Sequence, residues 1–254
     1  MYKIPAKTLF MGQNQICVPQ CHSTNSVAVE LMRNKDLAEG TIVITNHQTA
    51  GRGQRGNAWE ADPGENLTLS LLLKPSFMLA KDQFYLTMVV SLAAKEFLTT
   101  RLSATVKIKW PNDILVNDKK ICGILIENTL SGDKIQHSIV GIGLNVNQIA
   151  FTIASPTSMK LVAGRDFDLA EELNLFLEKL EVYYLQLRSG KLDSIKQHYL
   201  NQLYWRGEVH QFLRSADGEI FSGVITYVEE NGRLTILQDN KEVSFDLKEI
   251  TFVK

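Results

Sequence analysis

The chain has 254 residues and lacks several of the features that settle a function early. Only three cysteines occur, Cys17, Cys21 and Cys122. So sparse and odd a set builds no disulfide framework and fits reduced thiols in a cytoplasmic protein. Cys17, Cys21 and His22 are close enough to be read as metal ligands. No second ligand pair follows at a zinc-site spacing, so buried or half-buried thiols are the better reading. His47, His137, His198 and His210 form no cluster in sequence, and only His47, beside a glycine-rich run, stays a candidate. No apolar run approaches the roughly 20 residues that span a bilayer. Met1–Gln20 lacks the basic start and apolar core of a secretory signal. Net charge is almost absent: 27 Lys+Arg against 28 Asp+Glu leave −1. That balance argues against a general nucleic-acid or membrane-surface binder, though not against a local patch. Internal repeats and low-complexity segments are missing too.

Familiar nucleotide and hydrolase motifs are also absent. The most distinctive stretch is Gly51-Arg52-Gly53-Gln54-Arg55-Gly56-Asn57-Ala58-Trp59. It satisfies Gly-x-Gly-x-x-Gly, but a dinucleotide site needs a helix at the third glycine and an acidic residue about 20 positions on. Here Asp62-Pro63-Gly64 makes a turn, and Ser76 stands at the later position. Gly51 and Gly56 have Walker A spacing, yet Asn57-Ala58 stands where Lys-Ser/Thr is required. No His-Arg-Asp, Asp-Phe-Gly, Gly-x-Ser-x-Gly or His-Glu-x-x-His occurs. Glycine admits close backbone approach and arginine brings a fork of donors. The run is therefore either a loop that wraps an anion or a charged surface turn.

What is present is a core-forming chain, 44% hydrophobic and 22% charged, of a size for one large domain or one plus a small one. Ile16–Cys21 reads as a strand. Ser23-Thr24-Asn25 reads as the N-cap of a helix over about Ser26–Arg33. Thr41–Thr45 is a β-branched strand that feeds the glycine run. Asn66–Leu73 reads as a central strand ended by Pro75. Residues 81–100 carry Phe84, Met88, Leu92, Ala93 and Phe97 at helical spacing. Val106–Trp110 is a strand halted by Pro111. Ile114–Val116 and Ile121–Glu127 flank a hairpin turn at Asn117-Asp118-Lys119-Lys120, and Ile135–Ile142 follows. Asp168 with Glu171 is a capping box for a helix that ends near Gly190, and another helix covers about Asp193–Tyr204. From Gly207 the chain is strand-like. Val209–Arg214, Glu219–Glu229, Arg233–Gln238 and Lys241–Val253 are separated by turn signals, which suggests a small SH3-like barrel.

Four motifs come in one order: Gly51–Trp59; Lys109-Trp110-Pro111-Asn112-Asp113; Gly123-Ile124-Leu125-Ile126-Glu127; and Gly141-Ile142-Gly143-Leu144-Asn145-Val146-Asn147. With them the chain resembles the biotin protein ligases over about Ser23–Asn147. The resemblance implies a mixed-sheet α/β catalytic domain over 1–206 and the small barrel over 207–254. It implies that biotin and MgATP give biotinoyl-AMP and pyrophosphate, and that a lysine of a biotin carboxyl carrier protein, as in acetyl-CoA carboxylase, then takes the biotin. Lys109 is assigned by resemblance to the biotin carboxylate and α-phosphate, with Arg52 beside it. Strand alternation alone does not separate Lys109 from Lys107. Ser23, Thr24, Asn25 and Gln48 would bind the ureido group. Gly51, Gly123, Gly141 and Gly143 would give the fused rings room. Gln54, Arg55, Asn57, Trp59 and Asn145 would face ATP, Trp59 as an adenine cover and Asn145 toward phosphate or Mg²⁺, with no protein metal ligand firmly assigned. Plain alternatives are solvated loop arginines, a core indole and glycines that serve strand packing.

Many relatives carry arginine where Gln54 and Asn57 stand, so the loop here is expected to hold the adenylate less by charge. Only 22 residues precede Ser23, which leads to the expectation of a form without a DNA-binding domain. A homodimer is left open. A lipoate- or octanoate-protein ligase or transferase and a non-catalytic biotin-binding module are the alternatives.

Overall fold

The computed structural model describes residues 7–152 and 156–253, with the side chain of Arg55 outside that description. The first strand, β1 (Gln15–Cys21), leads to helix α1 (Thr24–Asn34) and to β2 (Ile42–Gln48). Strand β3 (Asn66–Leu73) has the expected bounds and is buried throughout. Helix α2 (Phe84–Arg101) begins three residues later than its apolar spacing suggested, because Ala80–Asp82 is a separate 3₁₀ turn. Strands β4 (Val106–Lys109), β5 (Asp113–Val116), β6 (Lys119–Ser131) and β7 (Lys134–Asn145) follow. The β5–β6 turn is formed by Asn117 and Asp118, at φ 47 and 63. Two successive left-handed residues are what a tight hairpin requires, and Asn-Asp accepts that geometry. Helices α3 (Met159–Ala163), α4 (Leu169–Arg188) and α5 (Leu192–Gln202) come next. The short α3 had no periodicity long enough to register. The Asp168 carboxylate accepts from the Glu171 amide at the start of α4, as the capping pattern indicated.

These strands form one mixed seven-stranded sheet in the order β1-β2-β3-β7-β6-β5-β4. Only β1–β2 is parallel. One face is apolar from end to end, as in Ile44, Leu69, Ile142 and Ile124, and packs under α2, α4 and α5. Helix α1 covers part of the opposite face through Ala28 against Val43 and Ile139. The remainder of that face includes Thr45, Thr68, Gly123, Gly141 and Gly143 beside Leu115 and Leu125.

The stretch expected to form a small barrel is a β-sheet unit. The C-terminal strands β8 (Val209–Arg214), β9 (Ile220–Val228), β10 (Leu234–Gln238), β11 (Lys241–Phe245) and β12 (Ile250–Val253) form a five-stranded antiparallel sheet. Its order is β11-β10-β9-β8-β12, with β11 and β12 at its two edges. The single expected strand over 241–253 is broken by a turn in which the Asp246 and Glu249 carboxylates accept backbone amides. No helix among the described residues is long and apolar enough to cross a membrane.

Candidate functional site

The register lines up one row of residues across the sheet. Thr45 pairs with Thr68, Thr68 with Gly143, Gly143 with Gly123, Gly123 with Asp113, and Asp113 with Lys109. Residues paired in this way share a face. Two side-chain-free positions therefore form a floor, with threonines on one side and a lysine on the other. From Gly143 to Lys109 the row crosses three strand spacings, about 14 Å. A cavity of about 530 Å³ stands over it, within the range of small-molecule sites. Of the predicted residues, Ser23, Thr24, Asn25, Gln48, Arg52, Gln54, Asn57, Trp59, Lys109, Gly123, Gly141 and Gly143 line the cavity. Gly51 and Asn145 do not. Lys107, which shares Lys109's face of β4, lines a separate small hollow, so the fold selects between the two lysines where alternation did not.

The polar end is a fixed hydrogen-bond network. Ser23 starts α1 with extended φ and ψ but makes no side-chain capping bond, so the three polar residues do more than cap. The Thr24 amide donates to Gln48 Oε1 at 2.9 Å. Asn25 is 3% exposed, and its Nδ2 donates to the Glu127 carboxylate at 2.6 Å. The Ser70 hydroxyl lies 2.5 Å from Asn25 Oδ1 and 2.8 Å from Thr24 Oγ1, and donates to one of them at a time. A Cβ at Gly141 would come within 2.5 Å of Asn25 Oδ1, so glycine there admits the amide. Ser70 and Glu127 were not singled out from sequence. Ser70 sits in a run that reads as plain core strand, and Glu127 closes a motif whose glycine drew the attention.

The glycine run folds as a miniature hairpin. The Trp59 amide donates to Gly51 O at 3.0 Å, and the Gly53 amide to Asn57 O at 2.7 Å, across a bridge between Arg52 and Ala58. A Cβ at Gly51 would stand 2.3 Å from Trp59 O, so this close approach, not a positive φ, is what requires glycine there. Arg52 is turned toward α1, where it donates to Ser26 Oγ at 3.0 Å and lies 3.7 Å from Glu127. The side chain of Arg55 lies outside the described residues. His47 is not in the cavity wall and sits against Gln20.

Trp59, expected by resemblance as an adenine cover, lines the cavity above its floor. Its indole rests on the glycine floor: a Cβ at Gly143 would fall 2.2 Å from the ring, and one at Gly123 would fall 3.0 Å from it. Its buried Nε1 has no acceptor among the described residues. The Lys120 ammonium is 5.5 Å from the ring centroid and 2.6 Å from the Asp113 carboxylate. Asn145 is 2% exposed. Its Nδ2 donates to Thr157 O, and its Oδ1 accepts no hydrogen bond among the described residues. Among the described residues no three His, Cys, Asp or Glu side chains gather to hold a metal. The C-terminal sheet closes the cavity with Ser215, Leu247, Lys248, Ile250, Thr251 and Phe252, a contribution that nothing in the sequence pattern indicated.

Comparison with known proteins places this geometry. The model of the Biotin/lipoate A/B protein ligase family matches residues 17–145. The Bifunctional ligase/repressor BirA of Bacillus spizizenii is 40% identical over 195 residues, 75% of this chain and 59% of its own length. The chain thus spans well under two thirds of that relative. The Biotin--[acetyl-CoA-carboxylase] ligase of Paracoccus denitrificans is 31% identical over 193 residues, 73% of this chain and 79% of its own. Among solved structures, the biotin protein ligase from Aquifex aeolicus in complex with biotin and ATP superposes with a TM-score of 0.77 at 26% identity. That match covers 95% of this chain and 99% of the other.

Proposed function

The chain belongs to the Biotin/lipoate A/B protein ligase family, and from that premise we propose that it uses ATP to attach biotin to a lysine of a biotin carboxyl carrier protein through biotinoyl-AMP. The observation that carries this reading is the row from Thr68 over two glycines and the Lys120-paired Asp113 to Lys109, with uncharged hydrogen-bonding groups at one end and an ammonium at the other. A cyclic urea on a carboxylate tail has that same polarity. The buried Thr24, Asn25 and Ser70 favour a urea over a dithiolane. These groups already bond one another and Gln48 and Glu127, and a urea can share that network through its own donors and acceptor, which a dithiolane cannot do.

In the first step a biotin carboxylate oxygen attacks the α-phosphorus and pyrophosphate leaves. Lys109 supplies fixed positive charge to the two anions and to the charge that builds on the phosphoryl oxygens. In the second step the carrier's lysine nitrogen attacks the acyl carbon, AMP leaves with the bonding pair, and the nitrogen loses a proton. No side chain of this protein needs to become covalently attached. Its work is positioning. The Gly51–Trp59 hairpin is suited to sit over the adenylate and keep water from it. Magnesium would be carried on the ATP phosphates, since Asn145, the residue expected to face it, is buried outside the cavity wall. Residues 1–206 form the catalytic unit in this reading, with 207–254 as the smaller unit that closes the cavity.

The test is transfer. Purified protein, ATP, Mg²⁺ and a biotin carboxyl carrier domain should give a biotinylated carrier, read by mass, and lipoate or octanoate should give none. Preferential transfer of lipoate would overturn the reading.

A further inference from the structure

The C-terminal sheet meets the row at its charged end. The Lys109 ammonium lies 5.0 Å from the centroid of the Phe252 ring. Phe252 is itself held on two sides: the Trp205 ring is 5.3 Å away, and Phe212, fully buried and its cross-strand partner, is 5.4 Å away edge-on. Trp205 sits in the link between the two sheets with φ 64, a conformation that a bulky residue adopts only when its surroundings impose it. There it stacks on His210 at 3.9 Å, with the planes 7° apart.

The residues on either side of Lys109 are tied to the link and to the C-terminal sheet. Before it, the Tyr204 amide donates to Ile108 O at 2.8 Å, and Leu203 makes an isolated parallel bridge to Ile108 of β4. After it, Trp110 Nε1 donates to Gly232 O at 2.9 Å, in the β9–β10 turn. Lys109 and Phe252 are thus fixed relative to each other from three directions.

We infer that Phe252 is a positioning residue for Lys109, and that by presenting this ring the C-terminal sheet completes the active site. A ring face attracts an ammonium without neutralising it. A carboxylate in the same place would cancel the charge that two substrate anions need and would repel them both. The inference rests on the role given to Lys109 under Proposed function and adds what holds that residue in place.

The experiment replaces Phe252 with phenylalanines bearing one, two and three ring fluorines, which weaken the ring face and nearly keep its shape. Phe252→Leu and Phe252→Tyr complete the set. Biotin-dependent exchange of pyrophosphate into ATP should fall stepwise with fluorination and about three- to tenfold in Phe252→Leu. The loss should lie mainly in kcat rather than in the KM for biotin. Phe252→Tyr should recover most of the rate. A flat fluorine series overturns the inference even if Phe252→Leu is slow, because that pattern reports packing alone. An unaffected Phe252→Leu also overturns it. Absence of any biotin-dependent exchange in the unsubstituted protein would instead count against the reading of the substrate. The Phe252 contact is then decided by the ¹³Cε resonance of Lys109, assigned with Lys109→Arg. It should carry a ring-current shift that Phe252→Leu removes, and an unmoved resonance refutes the contact.

Discussion

Gly143 shows how much one missing side chain can carry. The Trp59 indole and the space above the floor both depend on it. A methyl group there would meet the rigid indole at 2.2 Å, inside any real contact. Gly143→Ala should therefore expel Trp59 from the floor. The expected result is a red-shifted Trp59 emission, isolated by difference against Trp59→Phe, and biotin affinity at least about tenfold lower. Unchanged emission and affinity would show that the floor tolerates a side chain. The cysteines make the opposite case. Cys17 is exposed, while Cys21 and Cys122 are buried. Burial pushes the Cys122 thiol up to about 12 and raises Cys21 as well. Since the thiolate is the reactive form, a disulfide reagent near pH 8 should titrate one of the three thiols rapidly in the native protein and the others only on unfolding. Two fast thiols would contradict the packing. Much at this scale was legible in sequence. Lys109, Gly123, Gly141 and Gly143, singled out by the motifs, all line the cavity. Ser70 was not legible, because a serine in a leucine-rich strand gives no sign of which face it takes until the register is known.

Among the elements, strands were easier to read than the links between them. β3 and the β5–β6 hairpin were set by local chemistry: a continuous apolar run, and two residues that accept a left-handed turn. The row from Thr68 to Lys109 was not readable, because it depends on pairings between residues up to 75 apart in the chain. The N-terminal lead-in was equally hidden. The carboxylate of Glu181 on α4, 6% exposed, accepts the amides of Leu9, Phe10 and Met11 at 2.6, 2.9 and 3.0 Å. Three consecutive donors on one buried acceptor fasten the chain start to the helix. Glu181→Gln weakens all three bonds and sets its own NH₂ against the donors. It should cost about 2–3 kcal/mol, lowering Tm by roughly 4–10 °C. A shift under about 1 °C in calorimetry would mean that the lead-in is not held there.

At the scale of the molecule, two sheets share one cavity. Sequence texture marked the change near residue 207 and the strand-rich character beyond it, because turn signals are local. It could not show that Phe252 and Lys248 reach the same cavity as Lys109, which only the docking of the two units creates. Nor did it give the strand order β11-β10-β9-β8-β12, which places the last strand beside the first of the unit. The central claim is that this shared cavity activates biotin at Lys109. Isotope exchange between pyrophosphate and ATP tests it most directly, because it reports the first step without a carrier protein. Exchange should require biotin, should not be supported by lipoate, and should fall by at least about a hundredfold in Lys109→Ala, with biotin still bound by the polar end. Exchange that proceeds without biotin, or that survives Lys109→Ala at near the unsubstituted rate, would contradict the account.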